Sequence, residues 1–192
     1  MASEITQVGA YHLADNPDSY EIQRNNNFVF VVTGIDNIVN VGSSDNQVIP
    51  NAEQVLKFSV VSAPVPTFSQ NPIEIRRGNS VMKAAGLPSF RDGQVVVRDF
   101  IGEDSKSALM SWQNLSYNVK TERVGKMRDY KKTCYLQEYD VNFSRIVRTW
   151  KMMGCWVSGL EQDNFDVTSG DEKRITATIS FDKAFMELPD EI

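Results

Sequence analysis

Apolar positions along this chain follow two rhythms, and one stretch stands apart from the rest. From Glu103 to Asn118 (EDSKSALMSWQNLSYN), Ala108, Trp112 and Leu115 recur at i, i+4 and i+7 with Leu109 beside them, so the four share one helix face. Glu103 and Asp104 suit the helix start, where a carboxylate meets free N–H groups and the positive end of the dipole. No other long stretch keeps a helical period. The pattern on both sides is that of short strands, so the expectation is a single amphipathic helix packed on antiparallel sheet, with Trp112 as its largest core contact.

Taken in order, residues 1–27 are polar and poorly periodic and read as an arm, either disordered or ordered against a neighbour. Phe28 to Val32 (FVFVV) is a continuous apolar run and reads as a buried strand. Thr33 to Ala52 is long for a plain connection, so either Val39, Val41, Val48 and Ile49 form an extra hairpin or the segment is a functional loop. Gln54 to Ser62 alternates, with Leu56, Phe58 and Val60 on one side and Lys57 and Ser59 on the other, which predicts a half-buried strand. Pro64, Pro66 and Pro72 then stiffen an extended connection. Ile73–Arg77 and Ser80–Ala84 flank Gly78-Asn79 as a hairpin, and after a break at Gly86–Gly93 another strand spans Gln94–Ile101.

Beyond the helix, Lys132–Val141 and Arg145–Met153 predict an antiparallel pair, Gly154–Leu160 a tight small-residue approach, and Lys173–Asp182 a strand with Ile175, Ala177, Ile179 and Phe181 inward. The chain divides into an arm at 1–27, a domain at 28–188 with its 33–52 loop, and a tail at 189–192.

A length of 192 residues suits one domain with a real core, and 41% hydrophobic with 23% charged residues is ordinary for a globular chain. The net charge of −5 argues against a general nucleic-acid binder. Against that background Lys120–Lys132 is the one basic stretch, with Lys120, Arg123, Lys126 and Arg128 prominent; it is either a solvated loop or a docking surface for an acidic partner. Cys134 and Cys155 lie in strand-like runs and predict buried free thiols. MASEITQVGAYHL lacks the regions of a signal peptide, and no apolar run approaches a membrane span, so a cytoplasmic protein is expected.

Candidate chemistry is thin. His12 is the one histidine, which excludes a Ser-His-Asp triad or a multi-histidine metal site within the chain. There is no GxxxxGK[ST] or GxGxxG loop. Glu138 and Asp140 share a strand face, but such carboxylate pairs are common at surfaces. The expectation is a non-enzyme with no cofactor, no metal and no small-molecule ligand.

Several pieces in a fixed order carry a resemblance. They are the Gly78-Asn79 turn with Met82-Lys83-Ala84-Ala85-Gly86, the Phe90–Phe100 strand entering an acidic helix start, and Met110-Ser111-Trp112-Gln113. They continue with Tyr130-Lys131-Lys132, Lys151 to Trp156 as Lys-x-x-Gly-x-Trp, and Thr-Ala-Thr-Ile-Ser-Phe-Asp from Thr176. From about Gln54 to Leu188 the chain resembles the tail tube proteins of contractile-tailed bacteriophages, a family similar in fold to the tube proteins of type VI secretion and related injection systems.

The resemblance implies a small antiparallel β-barrel or sandwich flanked by a single α-helix. It also implies homo-hexameric rings stacked into a tube, assembled in the host cytoplasm and built into the virion, inside a sheath, with a baseplate or tube initiator and a tape-measure protein as partners. Double-stranded DNA would pass down the bore without specific binding. On that reading Phe68, Ile73 and Ile75 are candidates for ring stacking, Thr176, Thr178 and Ser180 for the bore wall, and Lys120, Arg123, Lys126 and Arg128 for sheath or subunit contact. The alternatives are a type VI or other injection-system tube subunit, and a monomeric ligand-binding β module.

Overall fold

A computed structural model describes residues 22–36, 38–40, 47–102, 105–168 and 170–187. In chain order the strands are β1 (Phe28–Thr33), β2 (Ile38–Val39), β3 (Val48–Ile49), β4 (Val60–Ser62), β5 (Phe68–Gln70), β6 (Ile73–Arg77), β7 (Ser80–Ala84) and β8 (Pro88–Phe90). They continue as β9 (Gly93–Arg98), β10 (Tyr117–Asn118), β11 (Arg123–Val124), β12 (Lys132–Tyr139), β13 (Ile146–Gln162), β14 (Arg174–Ser180) and β15 (Lys183–Glu187). The helices are α1 (Ala52–Ser59), α2 (Ser105–Ser116) and the single turn α3 (Met127–Tyr130). The fold is mainly β, with a curled, half-barrel sheet in the order β1-β12-β13-β14-β9-β4 and β15 also paired to β13. Every pairing is antiparallel.

The 17-residue strand β13 organises this sheet. Its first half pairs with β12 and β15, and its second half with β14. The sequence reading ends this strand at Met153 and treats 154–160 as a close approach; the strand instead runs through to Gln162. Gly154 bends it. With φ at +72° it stands where L side chains are disfavoured, and a Cβ there would collide with the Asp182 carboxylate, which occupies the gap between β14 and β15. Lys131 Nζ pairs with that carboxylate at 2.6 Å, and Asp182 N donates to Met153 O.

On the concave face the core gathers Phe30, Val32, Leu136, Met152, Val95, Val97, Val157, Ile175, Ala177 and Ile179 beneath α1 and α2. Ala108, Leu109 and Trp112 are buried in it, and Leu115 is half-buried against it. Trp112 Nε1 donates to Tyr130 O at 2.9 Å, so this large ring enters the core without an orphaned donor. Ser105, buried at the first turn of α2, donates its hydroxyl to Arg98 O. The expected acidic start at Glu103 and Asp104 lies outside the described residues.

Several expectations need correcting. Of residues 54–62 only the last three form a strand, β4, while 54–59 belong to a helix. Ala52, Val55, Leu56 and Ser59 are buried at i, i+3, i+4 and i+7, whereas Phe58, the centre of the alternating pattern, is 73% exposed. Two of those four positions are small, which lets α1 lie close on β1 but leaves a weak apolar signal. The single flanking helix therefore has a companion. Its start is tied to the preceding turn, because Glu53 accepts from Gly34 N and Ile35 N and donates its own N–H to Asp36.

Phe28 to Val32 is an edge strand with one buried face, not a strand covered on both sides. The 86–93 break contains β8, paired with β5. Residues 33–52 include a short ladder, Ile38 with Ile49 and Val39 with Val48; Val41 lies outside the described residues. The arm is described only from residue 22, where Gln23 and Asn27 donate side-chain hydrogen bonds to Tyr139 O and Asp140 O. His12 and residues 189–192 also lie outside. No helix of the described residues is long and apolar enough to cross a membrane.

Two substitutions test this arrangement. Leu56→Ala should cost about 2–5 kcal/mol of stability while Phe58→Ala stays within about 0.5, by urea midpoint; the reverse ranking would restore the strand. Gly154→Ala should cost at least about 1–2 kcal/mol for the left-handed backbone alone, with more from the Asp182 collision.

Candidate functional site

Among the described residues no cleft lined by converging titratable groups stands out, and the features that ask for a partner are surfaces. The first is the excursion between β4 and β9. Its base is fixed to the core: Pro64 packs where a Cβ on Gly93 would sit, Phe68 tilts on Phe90 at 5.7 Å, and Phe90 on Phe181 at 5.8 Å. A second close approach holds its neck, since a Cβ on Gly86 would collide with Asn71 O. Beyond that neck β6 and β7 form a two-stranded ribbon turned by Gly78 at φ +61°.

The register sorts the ribbon's faces. Ile73 opposes Ala84 and Ile75 opposes Met82 on one face, while Glu74 opposes Lys83 and Arg76 opposes Val81 on the other. Every residue of both strands is exposed, and Ile73 and Ile75 are each more than half exposed. A lone two-stranded ribbon with an apolar face in water is marginal, and such a face marks an interaction surface. Of the candidates for stacking, Ile73 and Ile75 share this face. Phe68 sits apart, on the base.

The second surface is the convex face of the β13-β14-β9 region. Thr176, Thr178 and Ser180 are half-buried there, opposite the buried Ile175, Ala177 and Ile179. Glu161 and Val96 flank Thr176 and Gln94 flanks Thr178 across the ladders. Ser158 Oγ donates to Thr178 O. Small side chains hold the middle of this face, with Trp156 opposite Ser180 at one end and Glu161 opposite Thr176 at the other.

The third is the basic segment, whose loop contains structure that the sequence reading does not anticipate. β10 pairs with β11, Asn118 Oδ1 accepts from the backbone of Lys120 and Thr121, and Gly125 N donates to Ser116 O. Tyr130 stands edge-on to Trp156 at 5.9 Å, and with the Trp112 bond this ties the segment to the core. Lys120, Arg123, Lys126 and Arg128 are all exposed. Beside them Met110, Leu115, Val119 and Trp156 help line an open groove of about 1120 Å³.

The carboxylates singled out in the sequence serve structure. Glu138 pairs with Arg148 at 3.0 Å and accepts from Trp150 Nε1 at 3.0 Å. Asp140 closes the β12–β13 turn by accepting from Ser144 and Arg145, and the Ser144 hydroxyl is the main reason its carboxyl stays below the usual range. Cys134 and Cys155 are free, buried thiols; burial first, and the neighbouring Cys155 second, push the Cys134 thiol upward.

One feature is missed by sequence reasoning. Between β13 and β14, Phe165 and Val167 stand almost fully exposed, with Lys173 Nζ 3.3 Å from the Phe165 ring centroid. Apolar residues inside an acidic, turn-rich run are the signal that points to them. Beside them Glu172 bridges Arg98 and Arg174, and Asp99 N donates to Lys173 O, fastening this loop to the end of β9.

No family model and no curated protein matches this sequence. Solved structures do. A chain of the sheath/tube terminator of the PVC extracellular contractile injection system, in its extended state, superposes with a TM-score of 0.61 at 18% identity, covering 87% of this chain and 97% of the other. The cap of the anti-feeding prophage, which terminates its tube, gives 0.63 at 16% identity over 91% and 97%. A chain of the extended PVC sheath–tube complex gives 0.61 at 18% identity over 97% and 99%. The fold is therefore one found in tube-associated chains of contractile injection machines.

The Glu172 bridge gives a pH prediction. Hydrogen bonds from Arg174 and then Arg98 hold its carboxyl below the usual range, so it stabilises the fold above the unfolded value of about 4.3 and loses this as pH falls through the lower, folded value. Urea midpoints of wild type and Glu172→Gln should differ at pH 7 and converge in acid. A constant difference across that window would remove the assignment.

Proposed function

We propose that this chain is a non-enzymatic structural subunit of the inner tube of a contractile machine, or of the terminator at the tube's end. The observation that carries this reading is the β6–β7 ribbon. Its apolar face lacks a partner in the protomer, and the fold around it is shared with chains of sheath–tube and terminator assemblies. Rings of identical subunits, six on this reading, bring the sheet ends β1 and β4 and the outer edge of β15 against neighbours, removing edges that would otherwise template aggregation.

Within such a ring the Thr176, Thr178 and Ser180 face lines the bore. Small hydroxyl side chains hold water, and the net charge of −5 discourages nucleic acid from adhering. Ile73 and Ile75, backed by Phe68 at the base, anchor ring to ring. Lys120, Arg123, Lys126 and Arg128 face outward toward an acidic surface of the sheath or of a neighbouring subunit. A baseplate or tube initiator starts the stack, and a tape-measure protein inside it sets its length. The machines whose chains share the fold are injection systems, which favours protein cargo over the double-stranded DNA of a phage tail virion.

Negative-stain microscopy and light scattering at low and high concentration test this reading, with rings or hollow tubes expected. Ile73→Asp with Ile75→Asp should abolish stacking and leave folded protomers or single rings, and unchanged tubes would refute the stacking role. For the basic segment, raising salt from 0.1 M to 1 M shortens the screening length from about 10 Å to about 3 Å. Sheath association should weaken accordingly and should weaken further in Lys120→Glu with Arg123→Glu; association indifferent to both would remove the contact.

A further inference from the structure

The protomer has two unlike ends. Strand β9 starts at Gly93, beside the base of the ribbon excursion, and finishes at Arg98, so its six residues separate the ends by about 20 Å. β14 runs antiparallel to it, with Ile179 opposite Gly93 and Arg174 opposite Arg98. The 163–173 loop consequently lies at the end away from the ribbon, together with Phe100 and Ile101. The Asp99–Lys173 backbone bond and the Arg98–Glu172 pair join the two segments there.

These ends are complementary in both apolarity and charge. The excursion at 63–92 carries Arg76, Arg77, Lys83 and Arg91 against Glu74 and Asp92. Arg77 follows Ile73 and Ile75 on the ribbon's apolar face. The far end, at 161–174 with the end of β9, carries Glu161, Asp163, Asp166, Asp171, Glu172 and Asp99 against Lys173, Arg174 and Arg98, an excess of acids. The three cations are engaged, Lys173 over the Phe165 ring and Arg174 and Arg98 on Glu172, while Asp163 accepts from Arg174 N and Asp166 from Thr168. Phe165, Val167 and Ile101 rise among these acids with 88% or more of their surface in water. Large apolar side chains gathered so bare at one end of the fold mark an interaction surface.

We propose that this acidic, apolar end, formed by Phe165, Val167, Phe100 and Ile101 with the carboxylates of the β13–β14 loop, receives the β6–β7 ribbon of a second copy of this chain in the next ring. The inference rests on the stacking reading above and deepens it by assigning the receiving surface. Ile73, Ile75 and Met82 cover the exposed rings and branched side chains, and Arg77 meets the acids around them. Because the two contacting surfaces differ, the contact is head to tail and repeats without closing, as a stack of rings requires. A finished stack shows bare ribbons at one mouth and bare acidic loops at the other.

Two blocked variants test the pairing. Ile73→Asp with Ile75→Asp disables the ribbon and leaves the far end intact; Phe165→Asp with Val167→Asp does the opposite. Each, purified alone and checked for folding by circular dichroism, should give no stack longer than one ring. Mixed, they still share one good interface, so they should give ring pairs and nothing longer, seen by microscopy and as a doubling of mass.

Tubes of normal length from the Phe165→Asp, Val167→Asp protein would overturn the receiving surface while leaving the ribbon's stacking role in place. So would two stack-deficient variants whose mixture forms no pairs. Tubes from the ribbon variant, or a wild-type protein that stays monomeric, would bring down the stacking reading itself and this inference with it. If the double aspartate variant does not fold, Phe165→Ser with Val167→Ser takes its place under the same outcomes.

Discussion

A strand of 17 residues is too long to stay flat in a small sheet, and most of the architecture follows from where it bends. Gly154 takes a backbone conformation that a side chain would disfavour, and the Asp182 carboxylate, held by Lys131, fills the place a Cβ would need. On one side of the bend β13 serves β12 and β15; on the other it serves β14, which hands on to β9 and β4. The sheet as a whole is curled. Its concave face is the one that two helices can cover.

Covering that face also fixes parts of the surface. Trp112 is buried, and its indole N–H needs an acceptor there; the acceptor is the Tyr130 carbonyl, within the otherwise exposed basic segment. Tyr130 in turn meets Trp156 on β13 just beyond the bend. A patch of exposed cations thus stands on a footing that reaches the core. Loss of the Trp112 anchor would be felt at the surface as well as in stability.

At the two ends of the sheet the balance is different. The ribbon satisfies its backbone through β6–β7 pairing but leaves a continuous apolar face in water, and the 163–173 loop leaves Phe165 and Val167 there too. Both are attached to rigid ground, the first through the Phe68–Phe90–Phe181 aromatic series and the second through the Glu172 bridge. Exposed apolar groups on preorganised supports lose little conformational freedom when covered, which favours association between copies.

Where local pattern and burial coincide, the sequence alone is enough. The Trp112 helix, the Gly78-Asn79 hairpin, the β12–β13 pair, the buried free cysteines and the inward set Ile175, Ala177, Ile179 and Phe181 could all be read from spacing and turn chemistry. Where tertiary contact chooses the conformation, it was not. Residues 54–60 alternate like a strand, but α1 forms because Ala52 and Ser59 are small enough to approach β1, a property of the partner surface that no local period encodes. The continuation of β13 past Gly154 depended on Asp182, 28 residues later in the chain. The placement of ribbon and acidic loop at opposite ends of β9 likewise became visible only once antiparallel register had placed segments distant in sequence on one axis.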